Sequence, residues 1–158
     1  MSRLSLVLVS TSPSAPMTAV TEVRAVEGRG LEGDRYFSGK GTFSPAVHRP
    51  DHEVTLVESE KIAAFAAASG LPFDAAMARR NLVTEGADLN ALVGRTFRVG
   101  EVVLRGLRLC EPCNHLAKTT YPETLEGLVH RGGLRAQIVR GGVLRVGDAV
   151  RPGPAESA

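Results

Sequence analysis

The stretch "TFRVGEVVLRGLRL", from Thr96 to Leu109, carries the clearest mark of the fold. Two runs rich in Val and Leu, "TFRVG" and "EVVLRGLRL", meet at Gly100, as β-strands bounded by glycine turns do. Five further runs have the same character: "LSLVLV" (4–9), "VTEVRAV" (20–26), "EVTLVE" (53–58), "LRAQIVR" (134–140) and "GVLRVGDAV" (142–150). Seven such runs in 158 residues predict a mainly β barrel or sandwich and not stacked βαβ units. One clear helix interrupts them, "ESEKIAAFAAASG" (58–70), where Ile62, Phe65 and Ala66 fall at helical spacing and Gly70 supplies the stop. "YPETLEGLVH" (121–130), with Pro122 near its first turn, predicts a shorter helix that brings Leu125 and Leu128 together. "DAAMARRN" (74–81) adds a turn or two.

The chain is long enough to bury one core, so a single domain over 1–158 is expected, with its core at about 20–151. The end, "RPGPAESA" (151–158), reads as frayed, with a flexible tail over 152–158. A net charge of +2 is too small to argue for a nucleic-acid surface. Sixteen of the nineteen basic residues are Arg, a residue suited to planar recognition of phosphate or carboxylate. No segment approaches the roughly 20 apolar residues of a membrane span. The N-terminal apolar run, Leu4 to Val9, is too short for a secretory signal and alternates like a first strand. A cytoplasmic location is expected.

The least regular stretch, Gly28 to His52, is punctuated by Gly28, Gly30, Gly33, Gly39, Gly41, Pro45 and Pro50. A loop of this length in a compact domain is usually functional or disordered. Within it "GRGLEG" (28–33) spells G-x-G-x-x-G after a candidate strand, but no helix pattern follows to hold a pyrophosphate. A turn that positions Asp34 and Arg35 is the better reading.

The only two cysteines lie in "RLCEPCNHLAK" (108–118). A redox pair would need its first thiol at a helix start, yet Cys110 follows a strand-like run and the next helix signal waits until Pro122. A haem-attachment motif would need His directly after the second cysteine, where Asn114 stands. A zinc site would need two more ligands, from His48, His52, His115, His130 or a carboxylate. Two small buried hydrophobes are the bland alternative. Arg108 and His115 nearby favour a thiolate, an apt ligand for a heavy metal. "RRN" (79–81) offers donors for phosphate or a fused polar ring, or else a solvated face. His130 and Arg131 close a predicted helix ahead of Gly132 and Gly133, where His130 could simply meet the helix dipole.

Taken in order, "GLEGDRY", "EVTLVE", "RRNLVTEGADLNALVGRTFRVGEVVLRGLRLCEPC" and "RGGLRAQIVRGGVLRVGDAV" resemble a MOSC domain, the module at the C-terminus of molybdenum cofactor sulfurases. The resemblance runs from about Val20 to Arg151 and is nearest to the stand-alone bacterial form. It implies a mostly antiparallel β-barrel with a few short helices and a molybdenum cofactor (molybdopterin) site. It assigns Cys113 as the catalytic cysteine and metal ligand, with Cys110 as the second candidate. Arg79, Arg80 and Asn81 would hold the pterin and its phosphate, and Asp34 and Arg35 would stand at the mouth. Relatives often carry His after that last segment, where this chain has Tyr36. Arg108, His115, His130 and Arg131 join the cofactor-binding set by proximity and turn position.

The expected function is that of a cofactor-dependent reductase of N-hydroxylated compounds, with a small-molecule substrate and an electron-donor protein as partners. The alternative is a sulfur-carrier or cofactor-handling module in which Cys113 holds a persulfide between a sulfur donor and an acceptor. A zinc-stabilised structural barrel is the third reading. No nucleic acid and no membrane partner is expected.

Overall fold

The computed structural model describes residues 2–12, 15–38 and 49–153. Its strands are β1 Arg3–Val9, β2 Thr18–Val20, β3 Glu22–Val26, β4 Gly30–Leu31, β5 Val54–Glu58, β6 Leu82–Glu85, β7 Thr96–Val99, β8 Val102–Leu109, β9 Leu134–Arg140, β10 Gly142–Arg145 and β11 Val150–Pro152. Its helices are α1 Ser59–Ser69, α2 Ala75–Ala78, α3 Asn114–Thr119 and α4 Thr124–Gly127. None is long and apolar enough to cross a membrane among the described residues.

The quoted stretch forms the hairpin β7–β8, with Val99 opposite Val102 and Phe97 opposite Leu104. β8 carries the pairing on to β9, and the large sheet runs β11-β7-β8-β9-β5-β6-β1-β2. A small second sheet is ordered β10-β3-β4. The large sheet is mixed, because β5 and β6 pair in parallel. A parallel pair needs a crossover, and α1 with α2 supplies it. The strand order does not close into a ring, so the expected antiparallel barrel is seen only as a mainly β fold with a mixed sheet and short helices. One isolated bridge, Arg3 to Ala149, ties the start of β1 to the approach to β11. There the Leu4 N–H donates to the Asp148 carbonyl at 2.8 Å and the Gly147 N–H to the Leu4 carbonyl at 2.7 Å.

Two apolar clusters flank the large sheet. One is interior, built from Leu4, Val7, Leu56, Leu82, Phe97, Leu104, Leu134, Ala136, Ile138 and neighbours, most without measurable exposure. Each Leu or Phe buried this way contributes about 1.5–3 kcal/mol. The other lies under the helices and gathers Leu8, Val57, Ile62, Phe65, Phe73, Val83, Leu116 and Leu128. The alternation expected along β1 is broken by a register shift between Leu4 and Leu6. Leu4 and Val7 therefore face the interior, while Leu6 and Leu8 pack towards the helices. A one-residue slip exchanges the faces of every side chain beyond it.

Several other expectations change in detail. "VTEVRAV" divides at Thr21 into β2 and β3, which belong to different sheets. "GVLRVGDAV" divides into β10 and β11 around Gly147, whose φ is +98. α1 ends as expected, with Gly70 left-handed at φ 71 and its N–H on the Ala66 carbonyl. α4 is a single turn; Leu128, directly after it, is buried but Leu125 is 38% exposed, so the two do not share a face. The helix expected from Pro122 is preceded by α3, which starts directly after Cys113 and is held by Leu116 and Ala117 turned inward. No helix follows "GRGLEG": Gly30 and Leu31 form β4 against β3, and a turn leads into Asp34. In β11, Pro152 pairs with Phe97. Residues 39–48, including His48, lie outside the described residues.

Candidate functional site

A cleft of about 530 Å³, its open mouth included, forms where β8, β9, α2, α3 and the turn after β4 meet. Arg35 and Tyr36 come from that turn, Ala78, Arg79 and Arg80 from the end of α2, and Arg135 from β9. Cys110, Glu111, Cys113, His115 and Leu116 complete the wall from the segment between β8 and α3. Four arginines and two thiols thus share one concavity. Cys110 is buried and Cys113, at the position preceding α3, is half-buried.

Hydrogen bonds fix most of these cations to the backbone. Arg80 donates from Nε to the Gly132 carbonyl at 2.8 Å, from Nη1 to Ala78 at 3.1 Å and from Nη2 to Cys110 at 3.1 Å. Arg79 donates to the carbonyls of Ala15 at 2.7 Å and Ser12 at 3.1 Å, and its own carbonyl accepts from Arg35 Nη2 at 3.0 Å. Arg79 is left-handed, with φ 59, a conformation that costs a non-glycine residue roughly 1–2 kcal/mol. Such strain gathers at functional sites. Asp34, 1% exposed, is the organiser behind the wall. Its carboxylate accepts from the N–H groups of Ser10 and Tyr36 and pairs with Arg35 Nη1 at 3.2 Å.

Burial pushes the Arg79 guanidinium below its ordinary range, and the Arg35 cation adds to this. Arg135 goes the other way: burial lowers it, but Cys110 and Tyr36 outweigh that and raise it. Both remain cations at neutral pH. Two buried nitrogens of the wall, Arg135 Nε and His115 Nε2, have no hydrogen-bond partner. Among the described residues no three His, Cys, Asp or Glu side chains are gathered to hold a metal ion, so a zinc site made of protein ligands alone is not assembled there.

The expected site residues divide by position. Arg35, Arg79, Arg80, Cys110, Cys113 and His115 line the cleft together. Asp34 holds that wall from behind. Asn81 is fully buried and spends its side chain on Thr55 and Leu8. Arg108 is exposed and pairs with Asp51 at 3.1 Å. His130 stands outside, 71% exposed, paired through Nδ1 with Glu111 at 2.8 Å, and Arg131 faces a groove beside α1 and α4. Arg135 is the wall residue that motif reading misses. Its one signal is an arginine in the middle of an apolar run, "LRAQIV", whose alternate residues Leu134, Ala136 and Ile138 face the core.

Asp51, whose carbonyl accepts from Arg135, gives a pH-dependent handle. Burial raises its carboxyl, but hydrogen bonds with His52 and Arg108 outweigh that and hold it below its usual range. A depressed carboxyl adds stability above its unfolded value, and this is lost as pH falls through the folded one. The urea midpoint should therefore fall on acidification through and below the ordinary aspartate range. Asp51→Asn should flatten that part of the profile, and an unaltered profile would contradict the pairing.

The comparisons agree with this architecture. The model of the MOSC domain matches residues 32–151. The YuaD protein of Bacillus subtilis superposes with a TM-score of 0.81 at 16% identity, over 99% of this chain and 98% of that one. YiiM from Geobacillus stearothermophilus gives 0.73 at 14% identity, over 96% and 75% of the two chains. YiiM from Escherichia coli gives 0.68 at 18%, over 99% and 72%. At such identities these likenesses establish a shared fold. No curated protein matches. With its motifs in order, its fold shared and the family model matched over well more than half its length, the chain belongs to the MOSC domain family.

Proposed function

We propose that the cleft binds a molybdenum cofactor, that Cys113 ligates the metal, and that the protein reduces N-hydroxylated compounds with electrons from a partner protein. One observation carries this reading: in a MOSC chain, a half-buried thiol opens into a cleft walled by four arginines, with two buried nitrogens that lack protein partners. The donor set suits the group. A thiolate beside cations is a soft ligand, and arginine forks match a phosphate. Arg35, Arg79, Arg80 and Arg135 would surround the bound pterin with positive charge, and Leu116 and Ala78 would cover its apolar edge. When bound, the cofactor would supply dithiolene sulfur to the metal and the chemistry that takes an oxygen atom from the substrate. Removing oxygen from an N-hydroxyl group consumes two electrons and two protons and releases water, which is why a donor protein belongs to the reading.

The test is elemental analysis of protein made in a host that produces the pterin cofactor. Near-stoichiometric molybdenum is expected in the wild type and in Cys110→Ser, and its loss in Cys113→Ser. No molybdenum in any of the three, or equal amounts in all, would sink the reading. A second reading, sulfur transfer through a Cys113 persulfide, is favoured by the same thiol in the same cationic setting. It predicts one extra, reducible sulfur atom on Cys113 in the intact mass.

A further inference from the structure

We propose that Arg135 builds an oxyanion-binding subsite in the cleft, taking a phosphate-type group on its Nε–H. β9 places Arg135 between Thr55 of β5 and Arg108 of β8. With Leu134, Ala136 and Ile138 committed to the interior, the arginine points to the opposite face, into the cleft wall. It is only 9% exposed, and Nη1 is pinned by the Asp51 carbonyl at 3.1 Å. Its Nε is buried without a partner.

What surrounds it decides the chemistry. The other three arginines of the wall already donate to protein: Arg35 to Asp34 and Arg79, Arg79 to Ala15 and Ser12, Arg80 to three carbonyls. The nearby carboxylates are also engaged, Asp51 with His52 and Arg108, Glu111 with His130, Asp34 with Arg35. Among the described residues no carboxylate pairs with Arg135. Cys110, Tyr36 and Asp51 favour the charged form of Arg135, yet its Nε–H is still a buried donor without an acceptor, and leaving such a donor unused is costly. An anion arriving from solvent supplies the missing acceptor. His115 Nε2, the other partnerless nitrogen of the wall, offers a second contact as its Nε2–H tautomer. Arginine presents its donors as a planar fork, the geometry that tetrahedral oxyanions accept. The group could be carried by the cofactor or by an anionic substrate. The assignment does not depend on molybdenum.

The test uses full-length protein from a host that lacks the pterin pathway, titrated with inorganic phosphate by calorimetry at constant ionic strength. Saturable binding is expected in the wild type, weakened about tenfold or more in Arg135→Gln, as loss of a charged hydrogen bond requires. Arg135→Lys keeps the charge but lacks the Nε donor. It too should bind more weakly, and it decides the matter if the Gln protein does not fold. No saturable binding in the wild type, or equal affinity in all folded variants, overturns the proposal. The same titration on cofactor-loaded protein separates the two sources. Phosphate that still binds marks a subsite for an anionic substrate. Phosphate excluded, with molybdenum content falling in Arg135→Gln, marks the cofactor's own phosphate. Phosphate binding in a protein that never retains molybdenum would sink the cofactor reading and leave this subsite standing.

Discussion

Alanine at Gly133 should cost about 3–5 kcal/mol of stability, the sum of a left-handed backbone penalty and an overpacking penalty. The residue has φ +112, a region that side chains rarely adopt. An added Cβ would overlap the backbone carbonyl oxygen of Leu56 in β5. Because the obstacle is main chain in a central strand, no rotamer change relieves it. The strands β5 and β9 would have to part, and Leu134 pairs with Leu56 at that point. The damage reaches the cleft, since the Gly133 carbonyl accepts the Cys110 N–H at 2.7 Å. Urea unfolding of cofactor-free protein measures the loss. A stability within about 1 kcal/mol of wild type would contradict the close approach of the two strands.

Asn81→Ala should be nearly as damaging, at about 3–5 kcal/mol, because it leaves several buried polar groups without partners at 1–3 kcal/mol each. Asn81 is fully buried. Its Oδ1 accepts both the backbone N–H and the hydroxyl of Thr55 at 3.1 Å, and its Nδ2 donates to the Leu8 carbonyl at 3.1 Å. One amide therefore locks β5 to β1 across the start of β6. The loss should appear in protein that has never met the cofactor, with an unchanged urea slope. If Asn81→Ala protein kept its stability but lost molybdenum, Asn81 would be a ligand-contacting residue instead of a strand lock.

Sequence reading and tertiary structure agree where the physics is local. The runs around Gly100 became β7 and β8, and "ESEKIAAFAAASG" became α1 with Gly70 as its left-handed stop. Propensity and periodicity act within a few residues, so they are legible in order along the chain. The same holds for the motifs that identify the family. They are short segments whose spacing can be read without knowing what they touch. α3 escaped because its six residues show too little periodicity, and its buried Leu116 and Ala117 are explained only by the helix-side cluster they join.

The site divides along the same line. Arg35, Arg79, Arg80, Cys110, Cys113 and His115 are marked by local motifs and share one cleft. Arg108 is in the right segment, but its side chain turns outward to Asp51. Asn81 sits beside two cleft arginines, yet its place directly before β6 turns its amide inward to Thr55. Which way a strand residue points depends on register, and register depends on the partner strand and its bulges. By itself the sequence determined the mainly β character, the one long helix and the family. Only the tertiary structure decided the parallel β5–β6 pair, the slip at Leu4–Leu6 and the burial of Arg135. Those three depend on contacts between residues far apart in the chain, whose energies no local pattern contains.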